Sequence, residues 1–475
     1  MTLPCLIQFA QVHEQFRLPE LRSIAELNGI QLDIPEEVDV KRPFMIINLS
    51  SEDDAKILAA RCILIKNVLE LWGHGESYEV LHGRNKENMP LWQRYATDTT
   101  FKFLVTAYNH SIHKARQKSI METFDYMAWE GRIDLASPEV TLLCTEEYRD
   151  RGNSHTRAKH EGEGSFRQVY FGRLLAEGTA RDLIQKFDVK QRAYYGNTSM
   201  ESEISLLMAN QALSAPGRLI YDPFVGTGST LYTCAQFGSY VCGSDIDGRQ
   251  MRGKGGVWLL QLSERRLMGL DVTPGIMRSA AQYGVASLIL DLFTFDVTRH
   301  PWRSGGIFDA IITDPPYGVR AGAKRLGKKD KAVINDKPPK PGNADAPAHL
   351  RPNYIPPTKP YELSELAVDL VALSVHLLKP GGRLVFFLPT VNEAYQDVDI
   401  PLHPHMKLVS NSLQDFGNWG RRLVTMEKLS GPATTDPAIA TTIHVPAHKD
   451  FREKYFSGFR HAMNLKDPNM MNERR

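Results

Sequence analysis

The sequence predicts an α/β protein whose second half is a doubly wound sheet, preceded by a separate α+β region. Three observations carry this. From Arg218 onward, short apolar runs alternate with longer helical stretches, the pattern of strands buried on both faces. A glycine turn, Gly226-Thr-Gly228, stands between the first of these strands and its helix. Before about residue 190 strands and helices alternate on a smaller scale, with no such turn. At 475 residues the chain is too long for one compact core, so we expect domains over 1–190 and 191–475.

In the first half, Leu6–Ala10, Phe44–Leu49, Phe101–Thr106 and Glu139–Cys144 read as strands. Leu18, Leu21, Ile24 and Leu27 fall at helical spacing and Gly29 stops that helix. Further helices are expected over Asp53–Cys62 and Ile120–Trp129, giving one or two small units with sheets covered on one face. In the second half, the strands are Arg218–Phe224, Tyr240–Asp245, Ser287–Leu292, Phe308–Thr313 and Arg383–Leu388, in a sheet expected to be parallel. Helices are expected over Ser229–Phe237 and Leu363–Leu377, the latter ended by Lys379-Pro-Gly-Gly382.

Composition narrows the class. Hydrophobic residues at 42% and charged residues at 24% exclude a disordered, collagen-like or disulfide-stapled chain. The charge sum, 57 basic against 55 acidic residues, is +2, so only local patches could bind nucleic acid. The five cysteines are scattered without metal-knuckle spacing, so we expect reduced thiols, no metal site, and a cytoplasmic location. No secretory leader or membrane span is expected. Residues 320–360 interrupt the order with eight prolines, and 320–340 carries eight Lys/Arg against two Asp, a net of +6. This insertion is either a disordered surface segment or a mobile basic lid.

The loop Tyr221-Asp-Pro-Phe-Val-Gly-Thr-Gly-Ser229 lacks the Lys-Ser/Thr pair of a P-loop and the third glycine of a dinucleotide fingerprint. It suits a nucleoside-like ligand without polyphosphate, with Asp222 facing a cation or amine. S-adenosylmethionine fits that description. Asp245, about twenty residues on, is placed to accept from a ribose diol, and Asp291 to accept from an adenine amine. The fourth strand ends in Asp314-Pro315-Pro316-Tyr317. Two prolines after a strand force a rigid extended turn that directs the Asp314 carboxylate and the Pro315 carbonyl outward. With Tyr317 as a stacking plate, this cradle suits an exocyclic amine on a planar ring.

Together these motifs resemble the Rossmann-type amino-methyltransferases. The segment Tyr195-Gly-Asn-Thr-Ser-Met-Glu-Ser-Glu-Ile-Ser-Leu-Leu-Met-Ala-Asn-Gln-Ala-Leu213, the Tyr170-Phe-Gly172 strand and His448-Lys-Asp-Phe-Arg-Glu-Lys-Tyr-Phe456 are similar to the tRNA guanine-10 N2-methyltransferases. The resemblance implies a ferredoxin-like piece and a THUMP RNA-binding domain in the first half. It implies Asp314–Tyr317 as the catalytic cradle, with Phe224, Gly226, Gly228, Asp245, Thr198 and Ser199 at the cofactor. It also implies a tRNA substrate and, in eukaryotic members, a small zinc-binding activator subunit. That subunit would cover the third strand, which the usual strand order places at a sheet edge.

For a tRNA substrate, phosphate contacts are expected from Lys114, Arg116 and Lys118, from the basic stretch 149–192, and from Lys324 and Arg325. The cradle itself accepts any exocyclic amine. A DNA adenine or cytosine enzyme, a protein-glutamine methyltransferase and a non-catalytic RNA-binding subunit therefore stay open on the residues alone.

Overall fold

The computed structural model describes residues 2–108, 110–149, 166–196, 199–253, 275–318, 322–327, 356–431, 446 and 448–456. Thr198 and most of the insertion lie outside them. Two compact units divide the chain, Met1–Asp182 and Leu183–Arg475.

In the first unit, strands β1 (Leu3–Phe9), β2 (Phe44–Leu49), β3 (Ile65–Gly75), β4 (Phe101–Tyr108), β5 (Val140–Tyr148) and β6 (Phe166–Glu177) form a six-stranded sheet. The order is β2-β1-β3-β6-β5-β4, antiparallel except for the parallel pair β4 and β5. β3 and β6, at 11 and 12 residues, are long enough to join two smaller groups of strands into one surface. β1 pairs along the first half of β3, whereas β6 follows β3 from Asn67 to Gly75 and then pairs with β5.

The helix over Glu52–Arg61 begins on a capping box between Ser51 and Asp54, with three acids in its first turn and Arg61 in its last. The helix expected over Ile120–Trp129 lies earlier, at Lys114–Glu122, with a 3-10 turn over Asp125–Met127. His113 caps its start, and the backbone turns left-handed at Ala128. Ile120, Phe124 and Met127 are all buried, so the apolar spacing runs through two consecutive elements rather than one.

The second unit holds β7 (Leu219–Asp222), β8 (Tyr240–Asp245), β9 (Ile289–Thr294), β10 (Phe308–Thr313), a ribbon of β11 (Lys324–Leu326) with β12 (Thr358–Pro360), and then β13 (Leu378–Val391), β14 (Met406–Asp415) and β15 (Trp419–Lys428). The main sheet has the order β14-β15-β13-β10-β7-β8-β9. β13, β10, β7, β8 and β9 are parallel, as expected. The edge made by β15 and β14 is antiparallel, because the three residues 416–418 that join them can only turn the chain back. The helix over Leu363–Leu377 buries all five leucines of its stripe, and Gly381, at φ +75°, takes the turn after it.

Strand order reverses between β7 and β10, so the crevice of this sheet opens at their carboxyl ends. Among the described residues no helix is long and apolar enough to cross a membrane.

Candidate active site

The loop after β7 is built on two left-handed glycines, Gly226 at φ +50° and Gly228 at φ +83°. A Cβ on Gly228 would stand 3.1 Å from Ile276 Cγ2 and from the Tyr232 ring, so glycine is required there for space as well as for conformation. The Gly226 N–H donates to Asp245 Oδ2 at 3.1 Å, and the Asp247 N–H donates to Oδ1 at 2.8 Å. Asp245 thus ends β8 beside the loop. Burial pushes its carboxyl up to about 6, partly offset by those two backbone donors. Ser199 Oγ lies 2.8 Å from Thr227 Oγ1 and accepts the Gly196 N–H, which ties Gly196 and Ser199 to the loop. The Phe224 side chain packs with Val297, Ala323, Tyr361 and Leu366 at the root of the ribbon.

Asp222 is used differently from the expectation that it faces a cation or amine. It is buried, and its carboxylate turns inward. Oδ1 accepts the Phe224 N–H at 2.9 Å and the Thr313 hydroxyl at 2.7 Å, and Oδ2 accepts the Thr230 hydroxyl. Thr313 is the residue before Asp314, so Asp222 fastens the glycine loop to the proline corner. Burial holds its carboxyl up to about 7 despite these donors.

Asp291 is a second correction. The strand does not end there but continues to Thr294, with Asp291 exposed in its middle opposite Cys242 and accepting the Leu292 N–H. The acid beyond the strand end is Asp296, missed in the sequence although the apolar run Leu292-Phe-Thr-Phe295 extends up to it. Asp296 is buried. Its Oδ1 accepts the Thr298 N–H and hydroxyl, and its Oδ2 accepts the Leu326 N–H of β11 at 2.5 Å, so it ties the ribbon down.

At the end of β10, Asp314, Pro315, Pro316 and Tyr317 lead into Gly318 at φ +90°. Tyr317 meets Phe451 edge-on, with ring centroids 6.3 Å apart, and a Cβ on Gly318 would stand 3.0 Å from Arg452. The late segment therefore closes behind the corner, with Phe451 also packing on Trp419 at 5.7 Å. Asp314 Oδ2 lies 3.5 Å from Arg421 Nη1.

The basic candidates separate. Lys114 is exposed, and Lys118 is exposed with a loose partner in Glu122 at 3.6 Å. Arg116 instead pairs with buried Glu146 at 2.7 Å and donates to the Tyr148 hydroxyl, so it is a structural cation rather than a free phosphate contact. Lys324 is exposed. Arg325 is paired with Glu365 at 2.9 Å and stands over the Tyr361 ring, which anchors the ribbon.

Residues 3–180 match the family described as the Tmrp11 THUMP N-terminal domain, and residues 190–329 the family described as RMKL-like, methyltransferase domain. The chain is 35% identical over 492 residues to a tRNA (guanine(10)-N(2))-methyltransferase of Schizosaccharomyces pombe, covering 95% of this chain and 96% of that one. It is 36% identical to the Saccharomyces cerevisiae protein of the same name, over 96% of this chain and 99% of that one. Against the human relative the identity is 34%, over 96% and 97%.

Proposed function

The chain belongs to the tRNA (guanine(10)-N(2))-methyltransferase family, and from that premise we propose how its own residues perform the reaction. The enzyme methylates the exocyclic N2 amine of guanosine 10 in tRNA, with S-adenosylmethionine as donor. The second unit fits that donor. Its loop carries no basic side chain for a polyphosphate, bends at two glycines, and has the Asp245 carboxylate alongside, able to accept from a ribose diol. Gly226, Gly228, Phe224, Asp245 and Ser199 would hold the donor, and the family resemblance adds Thr198 to them. When bound, it supplies an electrophilic methyl carbon.

The chain's part is positional. The Asp314 carboxylate and the Pro315 carbonyl accept the two amine hydrogens, and Tyr317 stacks on the ring, so the nitrogen lone pair points across the crevice. Hydrogen bonds to a carboxylate favour the pyramidal amine over the conjugated one, and they strengthen as positive charge develops on nitrogen. Fixing two reactants in this way can supply roughly 7–11 kcal/mol of the barrier. The target base must leave its pair to reach the corner.

The observation that supports this reading most directly is the hydrogen bond from Thr313 to Asp222, which couples the donor loop to the acceptor corner at the strand-order reversal. Asp314→Ala should abolish methyl transfer and leave tRNA affinity within about twofold; retained turnover would overturn the assignment. In cells lacking the protein, mass spectrometry of tRNA nuclease fragments should show loss of N2-methylguanosine at position 10.

Lys114, Lys118 and Lys324 would position the tRNA through its phosphates. A small zinc-binding activator subunit would cover β9, which among the described residues pairs with β8 alone and leaves Leu290 56% exposed at the sheet edge. The buried, unbridged cysteines suit a cytoplasmic protein.

A further inference from the structure

β15 runs against the parallel strands, so its first residues lie at the end of the sheet where the parallel strands finish. Arg421 is its third residue, opposite Pro389 on β13 and Gln414 on β14. Its side chain is only 10% exposed. The guanidinium is held on several sides. Nε donates to Gln414 Oε1 at 2.6 Å, and the plane lies 4.3 Å from the Phe387 ring centroid and 5.9 Å from that of Phe416. Nη1 then reaches across β13 to within 3.5 Å of Asp314 Oδ2. A guanidinium this enclosed needs a counter-charge, and the carboxylate it faces is the one proposed to grip the substrate amine.

We infer that Arg421 is a positioning residue for methyl transfer, acting through Asp314 by fixing the direction of its carboxylate. The inference rests on the role proposed above for Asp314. Its electrostatic sign sets what it can do. A positive group beside Asp314 weakens that carboxylate as a base and opposes charge developing on the amine. Arg421 therefore helps the reaction only through orientation, which suffices because the proton leaves after the methyl group has arrived. The contacts with the Phe387 and Phe416 rings and the bond to Gln414 hold the guanidinium in place before substrate binds, so little reorganisation accompanies the reaction.

The test uses the full-length chain, co-expressed with the zinc-binding partner proposed above, and steady-state kinetics on tRNA. Arg421→Met keeps the apolar stem and the packing against Phe387. It should lower kcat by tenfold or more, with about 100-fold the scale for a misplaced reacting group, and leave the KM for tRNA and for the donor within about twofold. Arg421→Lys should recover part of the loss. In an Asp314→Asn background, Arg421→Met should add no further loss, because the two residues act as one unit. Unchanged kcat in Arg421→Met would overturn the inference. So would a raised KM for tRNA at constant kcat, which would make Arg421 a phosphate contact, and so would full additivity in the double variant. Wild-type turnover in Asp314→Asn alone would instead remove the role of Asp314, a distinct failure.

Discussion

Asp222 shows how one side chain can look like a ligand contact in sequence and be a fastening in the fold. Its place after a strand and before a glycine turn is that of a ligand-facing acid, yet Thr230, Thr313 and the Phe224 N–H take up its oxygens. No spacing rule separates the two roles, because both need an acid at a strand end. The difference lies in two hydroxyls, eight residues and ninety-one residues away. The raised carboxyl has a consequence for stability. Unfolded, Asp222 titrates near 3.9; folded, it titrates near 7. Between those values the folded chain keeps a proton that the unfolded chain has lost. The stabilisation is therefore complete below about pH 4 and disappears as pH rises through about 7. Asp222→Asn should flatten the fall in unfolding midpoint between about pH 4 and 7, measured by thermal melts, and an unchanged slope would refute the buried titration.

At the scale of elements, the Lys114–Glu122 helix sorts its cations by depth. Arg116 answers Glu146, which also accepts from the Tyr78 and Tyr148 hydroxyls, while Lys114 and Lys118 face solvent. Arg116→Ala should cost about 1–2 kcal/mol of stability, reduced from the range for buried pairs because the guanidinium is a third exposed. Lys114→Ala and Lys118→Ala should leave the melt unchanged, weaken tRNA binding and each lower the salt slope by about one. Equal salt slopes in all three variants would contradict this sorting. Sequence periodicity located the helical region but drew it six residues late, because Ile120, Phe124 and Met127 continue the apolar spacing through the 3-10 turn. Apolar alternation also passes through Asp291 without a break, which hid the true end of β9. The Leu363–Leu377 helix and β10 were legible to the residue, since proline or glycine stands within three residues of each end and each carries a regular set of buried apolar residues.

For the whole molecule, the two edge strands of the second sheet are built differently. At one end the hairpin of β14 and β15 doubles back on itself. At the other, β9 is the last strand among the described residues and Leu290 on it is exposed. Leu290→Lys should leave the melt of the isolated chain within about 2 °C and abolish co-purification of the zinc-binding subunit proposed above. A complex that survives this change would place the partner elsewhere. The antiparallel hairpin was not legible beforehand, because β14 and β15 mix polar and charged residues with apolar ones and lack the near-continuous apolar runs of the parallel strands. The joining of the first unit into one sheet was hidden for a related reason: β3 and β6 are single long strands serving two groups of neighbours, and length alone does not reveal a second partner.

The Thr313–Asp222 link also bears on how such an enzyme can change. With the donor and recipient seats proposed above, the two loops share a clasp, so neither seat can drift without dragging the other. Replacing the recipient is consequently a matter for the walls around Tyr317, whereas the gap that the methyl group must cross is inherited as a fixed dimension of the scaffold.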